Sequence, residues 1–129
     1  MDTISIKIPA SPQFLGVLRL VAAGLAARLK FTIDDIEDLK IAVDELSAYI
    51  TGSQGREGTL SVEFTVGDDR IEILGTAELA PGNKVRTDLT EFSQMILETV
   101  ADSASLEQRD GVPAFKLVKS KKESGAALT

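Results

Sequence analysis

Apolar and polar residues alternate near the start of the chain in the pattern of a half-buried strand. Ile4, Ile6 and Ile8 alternate with Ser5 and Lys7, and a proline follows the last isoleucine. Successive side chains of a strand point to opposite faces, so the pattern predicts a strand with one buried face. The proline at position 9 is expected to end it.

Two helices are predicted next, because the apolar positions now recur at three- and four-residue spacing. The first has Ser11 as N-cap and Pro12 at its first position, and it runs to about Lys30. The second starts at Thr32, with Asp35 at the distance of a capping box. Its apolar stripe consists of Ile36, Leu39, Val43, Leu46 and Ile50.

The second half of the chain predicts four more strands and a third helix. Residues 59–66 alternate, and residues 70–74 follow after a Gly-Asp-Asp turn, which predicts a hairpin. Residues 75–87 have no sustained period and predict a long loop of the kind that often forms a lid or binding loop. Residues 88–102 have helical spacing, with Asp88 near the start of the helix.

The end of the chain predicts a second hairpin, in residues 105–119, around Asp110 and Gly111. The expected fold is therefore α+β, a two-layer sandwich with three helices on one face of a mixed five-stranded sheet. We expect one domain over residues 1–119 and a disordered tail over residues 120–129.

Composition and charge exclude several classes of function. The chain of 129 residues has no cysteine and no histidine, which excludes thiolate nucleophiles, Ser-His relays and ordinary zinc sites. The net charge of −6 disfavours nucleic acid and suits a basic protein partner. Neither a membrane-spanning stretch nor a signal peptide is recognisable, so we expect a cytoplasmic protein that does not bind membranes.

Three segments carry a resemblance to a known family. They are SPQFLGVLR at residues 11–19, DIEDLKIAVDEL at residues 35–46 and the closing LETVADSASLEQRDGVPAFKLVK. The chain resembles the anti-sigma-factor serine kinases of bacterial stress and sporulation control, within the superfamily of gyrase, MutL and histidine-kinase ATPase domains. The resemblance covers residues 4 to about 119 and implies a histidine-kinase-like ATPase fold.

The resemblance also implies where a nucleotide would bind. The family has Glu-x-x-x-Asn on its second helix, a catalytic base and a Mg²⁺ ligand on one helical face; here these positions are Glu45 and Tyr49. The family's adenine-binding Asp-x-Gly-x-Gly aligns with residues 75–79, where Gly75 stands in place of the aspartate and Ala77 in place of the first glycine. The phosphate-binding glycine turn before the third helix is absent, so we expect an impaired ATP site.

Each candidate residue has a second interpretation. Glu45 is either a surviving base or a surface carboxylate that pairs with a neighbouring cation. Tyr49 is either a ligand contact or a packing residue that fills the vacated pocket. Arg19 matches the first-helix arginine that faces the partner proteins in the family, or it only extends its apolar stem beside the core.

Three functions remain open from the sequence. The first is a regulator that binds a sigma factor, an anti-anti-sigma protein or both, as a homodimer and without cofactor or metal. The second is an active ATP-dependent serine kinase that uses Mg-ATP, with Glu45 as base. The third is a dimeric module with the same fold and no regulatory role.

Overall fold

The computed structural model of the protein describes residues 1–122 and shows five strands and three helices. The strands are β1 (Asp2–Pro9), β2 (Gly58–Val66), β3 (Arg70–Leu79), β4 (Ser103–Arg109) and β5 (Val112–Ser120). The helices are α1 (Leu15–Arg28), α2 (Ile33–Thr51) and α3 (Glu91–Val100). This is the α+β architecture that the sequence predicts.

The strands form one sheet in the order β1-β2-β3-β5-β4, and every neighbouring pair is antiparallel. The prediction of a mixed sheet is therefore wrong in this detail. Two antiparallel helices connect β1 to β2. Because the second helix reverses the direction of the first, β2 enters the sheet antiparallel to β1, whereas a single connecting helix would have made the two strands parallel. The strand β5 lies between β3 and β4, which run in the same direction and do not touch.

The two caps predicted for α1 and α2 differ in the structure. Ser11 makes no side-chain cap, and a short 3₁₀ turn, Pro12–Phe14, precedes α1. Thr32 caps α2, because its hydroxyl accepts the N–H of Asp35 at 3.1 Å. The Asp35 carboxylate does not return this bond; it is fully buried and lies 3.5 Å from the ammonium group of Lys119.

The predicted loop over residues 75–87 is wrong in its first part. The strand β3 continues to Leu79, because β2 supplies a partner for each residue up to the pair Gly58 and Leu79. The loop occupies residues 80–90 instead, and α3 begins after its cap, Thr90, not near Asp88.

The core lies between the helices and one face of the sheet. Its largest fully buried side chains include Leu18 of α1, Leu39 and Leu46 of α2, Phe64 of β2 and Phe115 of β5. Each helix contributes one apolar side and each strand every second residue, as the periodicity predicts. The apolar sides of the helices therefore pack against the apolar face of the sheet in one core.

Two predictions concern the end of the chain and its relation to membranes. The strand β5 includes Ser120, so the predicted tail begins later than residue 120, and residues 123–129 of that tail lie outside the described residues. No helix within residues 1–122 combines the length and the apolar character needed to cross a bilayer.

Candidate functional site

Glu45 and Tyr49 lie four residues apart on α2, and both face the first turn of α3. The hydroxyl of Ser93 donates to Oε2 of Glu45 at 2.6 Å. The hydroxyl of Tyr49 donates to Oγ of Ser93 at 2.8 Å. The structure thus brings the two α2 residues together, as the sequence predicts from their spacing, and joins them through a third residue on another helix.

Ser93 is the centre of this contact. Its side chain is buried, with a relative exposure of 4% for the residue. Besides the bonds with Glu45 and Tyr49, its Oγ accepts a hydrogen bond from the hydroxyl of Thr90 at 3.0 Å. A serine hydroxyl has one donor and two acceptor positions, so the hydrogen-bonding capacity of Ser93 is fully used.

The N-terminus of α3 is closed by the same residues. Thr90 is the N-cap, and its Oγ1 accepts the backbone N–H of Ser93 at 3.0 Å. The backbone N–H of Thr90 donates to the hydroxyl of Tyr49 at 3.1 Å. In a capping box a glutamate or glutamine of the same helix accepts this N–H; here a tyrosine of the neighbouring helix does so. We call Glu45, Tyr49, Thr90 and Ser93 the α2–α3 seam.

The ionisation of Tyr49 depends on the seam. Burial raises the pKa of the Tyr49 phenol, but hydrogen bonding with Ser93 and Thr90 together outweighs burial, and the pKa is lowered from its ordinary value. The negative charge of Glu45 acts in the opposite direction. The direction of this pKa shift therefore depends on the hydrogen bonds of the seam as well as on burial.

Gly75 and Ala77 lie on the core face of β3. Gly75 pairs with Phe115 of β5, and a Cβ atom at position 75 would overlap the Phe115 ring. Ala77 is 2% exposed and lines a cleft of about 460 Å³ beneath the loop of residues 80–90. The structure explains the glycine by the packing of a ring against the strand.

The loop of residues 80–90 is fastened at two places. The guanidinium group of Arg56 donates to the carbonyl oxygen of Ile50, in the last turn of α2, at 2.8 Å and to that of Lys84 at 3.4 Å. On the other side, the amide of Gln108 donates to the carbonyl oxygen of Val85 at 3.1 Å. The loop is therefore tied to the end of α2 and to β4.

Arg19 lies on the opposite side of α2 from the α2–α3 seam. Its Nη1 donates to Oδ1 of Asp44 at 2.8 Å, and the two side chains are 39% and 43% exposed. Arg19 thus reaches across to α2 and keeps its charged group partly in water, and its contact with partner proteins stays a prediction. We call Arg19 and Asp44 the α1–α2 seam.

The outer side of α1 is apolar and exposed. Leu20 is 75% exposed and Val17 is 43% exposed, and Gly24 and Ala27 are also exposed. A surface helix usually has polar residues on the side away from the core, whereas a helix that is apolar all round is usually covered. The outer side of α1 is therefore an exposed apolar surface that lies beside Arg19.

The four residues predicted at the nucleotide-binding positions lie in two places. Glu45 and Tyr49 belong to the α2–α3 seam, and Gly75 and Ala77 lie on β3. Glu45 hydrogen-bonds to a serine and has no cation partner within residues 1–122. Sequence reasoning missed Ser93 and Thr90. The spacing of a threonine N-cap three residues before a serine was a usable signal for the cap, but not for the contact with α2.

Comparison with curated proteins gives the family. The chain is 34% identical over 128 residues to the serine-protein kinase RsbW of Halalkalibacterium halodurans. The alignment covers 86% of this chain and 79% of the relative. The chain belongs to the RsbW family of serine-protein kinases. This confirms the resemblance to anti-sigma-factor serine kinases.

Other RsbW proteins match over a shorter region. Those of Bacillus velezensis and Bacillus subtilis are 43% and 40% identical over 77 and 76 residues, which is 57% of this chain and 48% of each relative. The chain thus spans about half the length of the first curated relatives that it matches. No protein-family model matches the chain.

Proposed function

We propose that this RsbW-family chain is a cytoplasmic regulator that binds a sigma factor, an anti-anti-sigma protein or both, and that it works without Mg-ATP. The observation that carries the proposal is the α2–α3 seam. In it, the residues at the family's catalytic and metal-binding positions are hydrogen-bonded to each other through Ser93. Transfer of a phosphoryl group needs such residues to be free to face the nucleotide.

The residues present do not fit a magnesium nucleotide. The Tyr49 hydroxyl stands where the family has an amide ligand, and it already donates to Ser93 and accepts from Thr90. A neutral phenol is a poor ligand for Mg²⁺, which prefers carboxylate, phosphate and water oxygens in octahedral geometry. The N–H of Thr90 at the start of α3, a position from which helices bind phosphate, donates to Tyr49 instead.

The surface of α1 supports a function in binding. Exposed Leu20 and Val17 lie on the same helix as Arg19, whose guanidinium group is held by one exposed carboxylate. An arginine among apolar residues is the composition of an interface centre, and the ion pair with Asp44 costs little to exchange for a partner's carboxylate. We place the contact with the protein partner on this side of the molecule.

We also propose that the chain forms a homodimer. The strand β1 is an edge of the sheet, hydrogen-bonded to β2 on one side only within the described residues. A cleft of about 630 Å³ beside it is lined by Met1, Ile4, Leu25 and Leu29 among other residues. A second copy would cover this apolar surface.

Calorimetric titration with Mg-ATP tests the nucleotide part of the proposal. We expect no binding up to millimolar ATP, with the RsbW of Halalkalibacterium halodurans as the control for the assay. Binding in the micromolar range would contradict the proposal and favour the active kinase, with Glu45 as its base. The variant Tyr49→Asn, which places the family's amide at this position, shows whether one residue accounts for the result.

Capture of partners tests the regulatory part. The purified chain, mixed with candidate sigma factors and anti-anti-sigma proteins of its own cell, should retain at least one of them. Arg19→Glu should weaken that capture by about 30-fold, since a central interface arginine contributes about 2 kcal/mol or more. Arg109→Glu is the matched control, because Arg109 is also an exposed arginine in an ion pair, with Glu107, and lies on β4 at the other edge of the sheet from β1.

Two outcomes would contradict the regulatory proposal. Recovery of only further copies of the chain would favour the dimeric module without a regulatory role. Equal loss of capture in the Arg19 and Arg109 variants would show that charge in general, and not the α1–α2 seam, determines binding.

A further inference from the structure

A groove runs between α3 and the edge strand β4, on the side of α3 that faces away from α2. It consists of two adjoining pockets of about 400 and 440 Å³, which share Leu89, Gln94 and Ala104. Leu97 and Ala101 of α3 add to its apolar surface. The groove lies beyond α2 from α1, so a molecule bound there would leave the outer side of α1 open.

The charged side chains around the groove are all acidic. Asp88 lines one pocket, and Glu98 and Asp102 line the other. Neither lining includes a lysine or an arginine among the described residues. Asp102 uses one oxygen to accept the backbone N–H of Ser120 at 3.1 Å, whereas Glu98 is exposed on the helix. The groove therefore attracts a cationic ligand and repels an anionic one.

One wall of the groove can form backbone hydrogen bonds. Within residues 1–122, β4 is hydrogen-bonded as a strand only to β5, so its outer edge has unpaired N–H and C=O groups. The part of β4 along the groove, Ser103–Leu106, contains only small, polar or apolar residues. Folded proteins usually protect such edges with lysine, proline or a bulge. The other edge strand, β1, does contain Lys7 and ends at Pro9.

We infer that the groove binds an extended, positively charged peptide segment of another protein, which adds to the sheet as a sixth strand next to β4. Backbone hydrogen bonds to β4 would give the segment its direction and register. On the side facing α3, its apolar side chains would contact Leu89, Leu97 and Ala104. Lysine or arginine at the ends of that side would meet Asp88 and Glu98. Peptide recognition by strand addition beside a helix is a known mode of binding.

Charge distinguishes this partner from two others. A second copy of the chain placed with the same groove would bring Asp88 and Glu98 of both copies together, which is unfavourable. An anionic membrane would be repelled by the same carboxylates. This inference goes beyond the proposed binding on α1 and does not depend on whether the chain binds a nucleotide.

Synthetic peptides with a fluorescent label test the inference on the full chain. In the first peptide every second residue is threonine. The residues between the threonines are leucine in the central part and lysine at both ends. In the second peptide glutamate replaces both lysines, and in the third proline replaces the central threonine and removes a backbone donor. We expect only the first to bind well, with the second and third weaker by about tenfold or more. Its binding should weaken as salt is added.

Variants and amide protection locate the site. Glu98→Lys should weaken binding of the lysine peptide about tenfold, whereas Glu63→Lys should not, because Glu63 is an exposed carboxylate on the opposite face of the sheet. The peptide should slow hydrogen exchange of amides along β4 in NMR spectra. Both variants should retain the circular dichroism spectrum of the parent chain.

Three results would overturn the inference. They are equal affinity for the lysine and glutamate peptides, protection of amides away from β4, and equal weakening by the Glu98 and Glu63 variants. Because none of these measurements involves ATP, Arg19 or a sigma factor, they can fail while the proposed function holds, and the reverse is also true.

Discussion

The two sides of α2 differ in how their polar residues are used. On the side of α1, Arg19 and Asp44 form one exposed ion pair. On the side of α3, Glu45 and Tyr49 are joined to Ser93 and Thr90 by short hydrogen bonds, and Ser93 is buried. By the family resemblance, the α3 side carries the positions of the catalytic base and the metal ligand, and here both are hydrogen-bonded within the fold, whereas Arg19 on the α1 side is held only by an exposed ion pair. The polar contacts on one side of a helix can thus be largely internal while those on its other side stay exposed.

Among variants on the two sides of α2, Ser93→Ala is expected to cause the largest loss of stability. The substitution removes the hydroxyl that bonds Glu45, Tyr49 and Thr90. Unfolding in urea should show a loss of about 2 kcal/mol, because three hydrogen bonds are lost and half-buried Glu45 and Tyr49 each lose a partner. Ser53→Ala, at an exposed serine, is the control and should change stability by less than about 0.5 kcal/mol. Equal stability of the two variants would mean that the seam does not hold α2 to α3.

A smaller loss is expected from Tyr49→Phe, which removes only the hydroxyl and keeps the packing of the ring. The free energy of unfolding should fall by about 1 kcal/mol. The double variant with Ser93→Ala should lose less than the sum of the two single variants, because both remove the same hydrogen bond. Strict additivity in this cycle would show that the two residues act independently.

The α1–α2 seam should contribute less to stability than either of these residues. Arg19→Ala and Asp44→Ala should each lower the free energy of unfolding by less than about 1 kcal/mol, as is usual for an exposed ion pair. The difference between the two seams disappears if Arg19→Ala proves as costly as Ser93→Ala. Urea unfolding at low and high salt measures both contributions under the same conditions.

The smallest expected effect is a shift in the pKa of Tyr49, which reports on the hydrogen bonds of the α2–α3 seam. The chain has one tyrosine and no tryptophan, so ultraviolet absorbance of the phenolate reports Tyr49 alone. Its pKa is lowered in the folded chain, and the unfolded chain in urea should titrate near the ordinary value of about 10. Because the pKa of Tyr49 is lower in the folded chain than in the unfolded chain, ionisation of Tyr49 stabilises the fold. This contribution is complete above the pKa of the unfolded chain and is lost as the pH falls through the pKa of the folded chain.

Ser93→Ala also serves as the control for this titration. It removes one of the hydrogen bonds that lower the pKa, so the folded variant should titrate at a higher pH than the parent chain. An unchanged midpoint in the variant, or a parent midpoint above that of the unfolded chain, would contradict the hydrogen-bonded seam.

Much of the fold follows from local patterns in the sequence. The cap at Thr32 and the apolar stripe after it predict α2, and Asp110 and Gly111, both with positive φ in the structure, predict the β4–β5 turn. The end of β3 was missed, because Gly75 interrupts the alternation and only the pairing with β2 and β5 shows that the strand continues. Local patterns predict elements well where the reason for them is local.

The candidate site was only half predictable for the same reason. The spacing of Glu45 and Tyr49 places both on one face of α2, and family resemblance gives the positions a meaning. Their contacts with Ser93 join residues 48 and 44 positions apart in the chain. No periodicity or cap signal predicts which helix packs against which, so the sequence alone does not show that α3 supplies the hydrogen-bond partners of Glu45 and Tyr49.

The packing of Gly75 against Phe115 has a consequence for how this chain can change. The family resemblance implies that position 75 matches the aspartate that reads adenine, and any side chain there would collide with a buried ring. An aspartate at position 75 is therefore obstructed unless Phe115 is replaced by a smaller residue, and a smaller residue at position 115 alone leaves a cavity in the core. Only a paired replacement at positions 75 and 115 would admit a carboxylate at this point of the sheet.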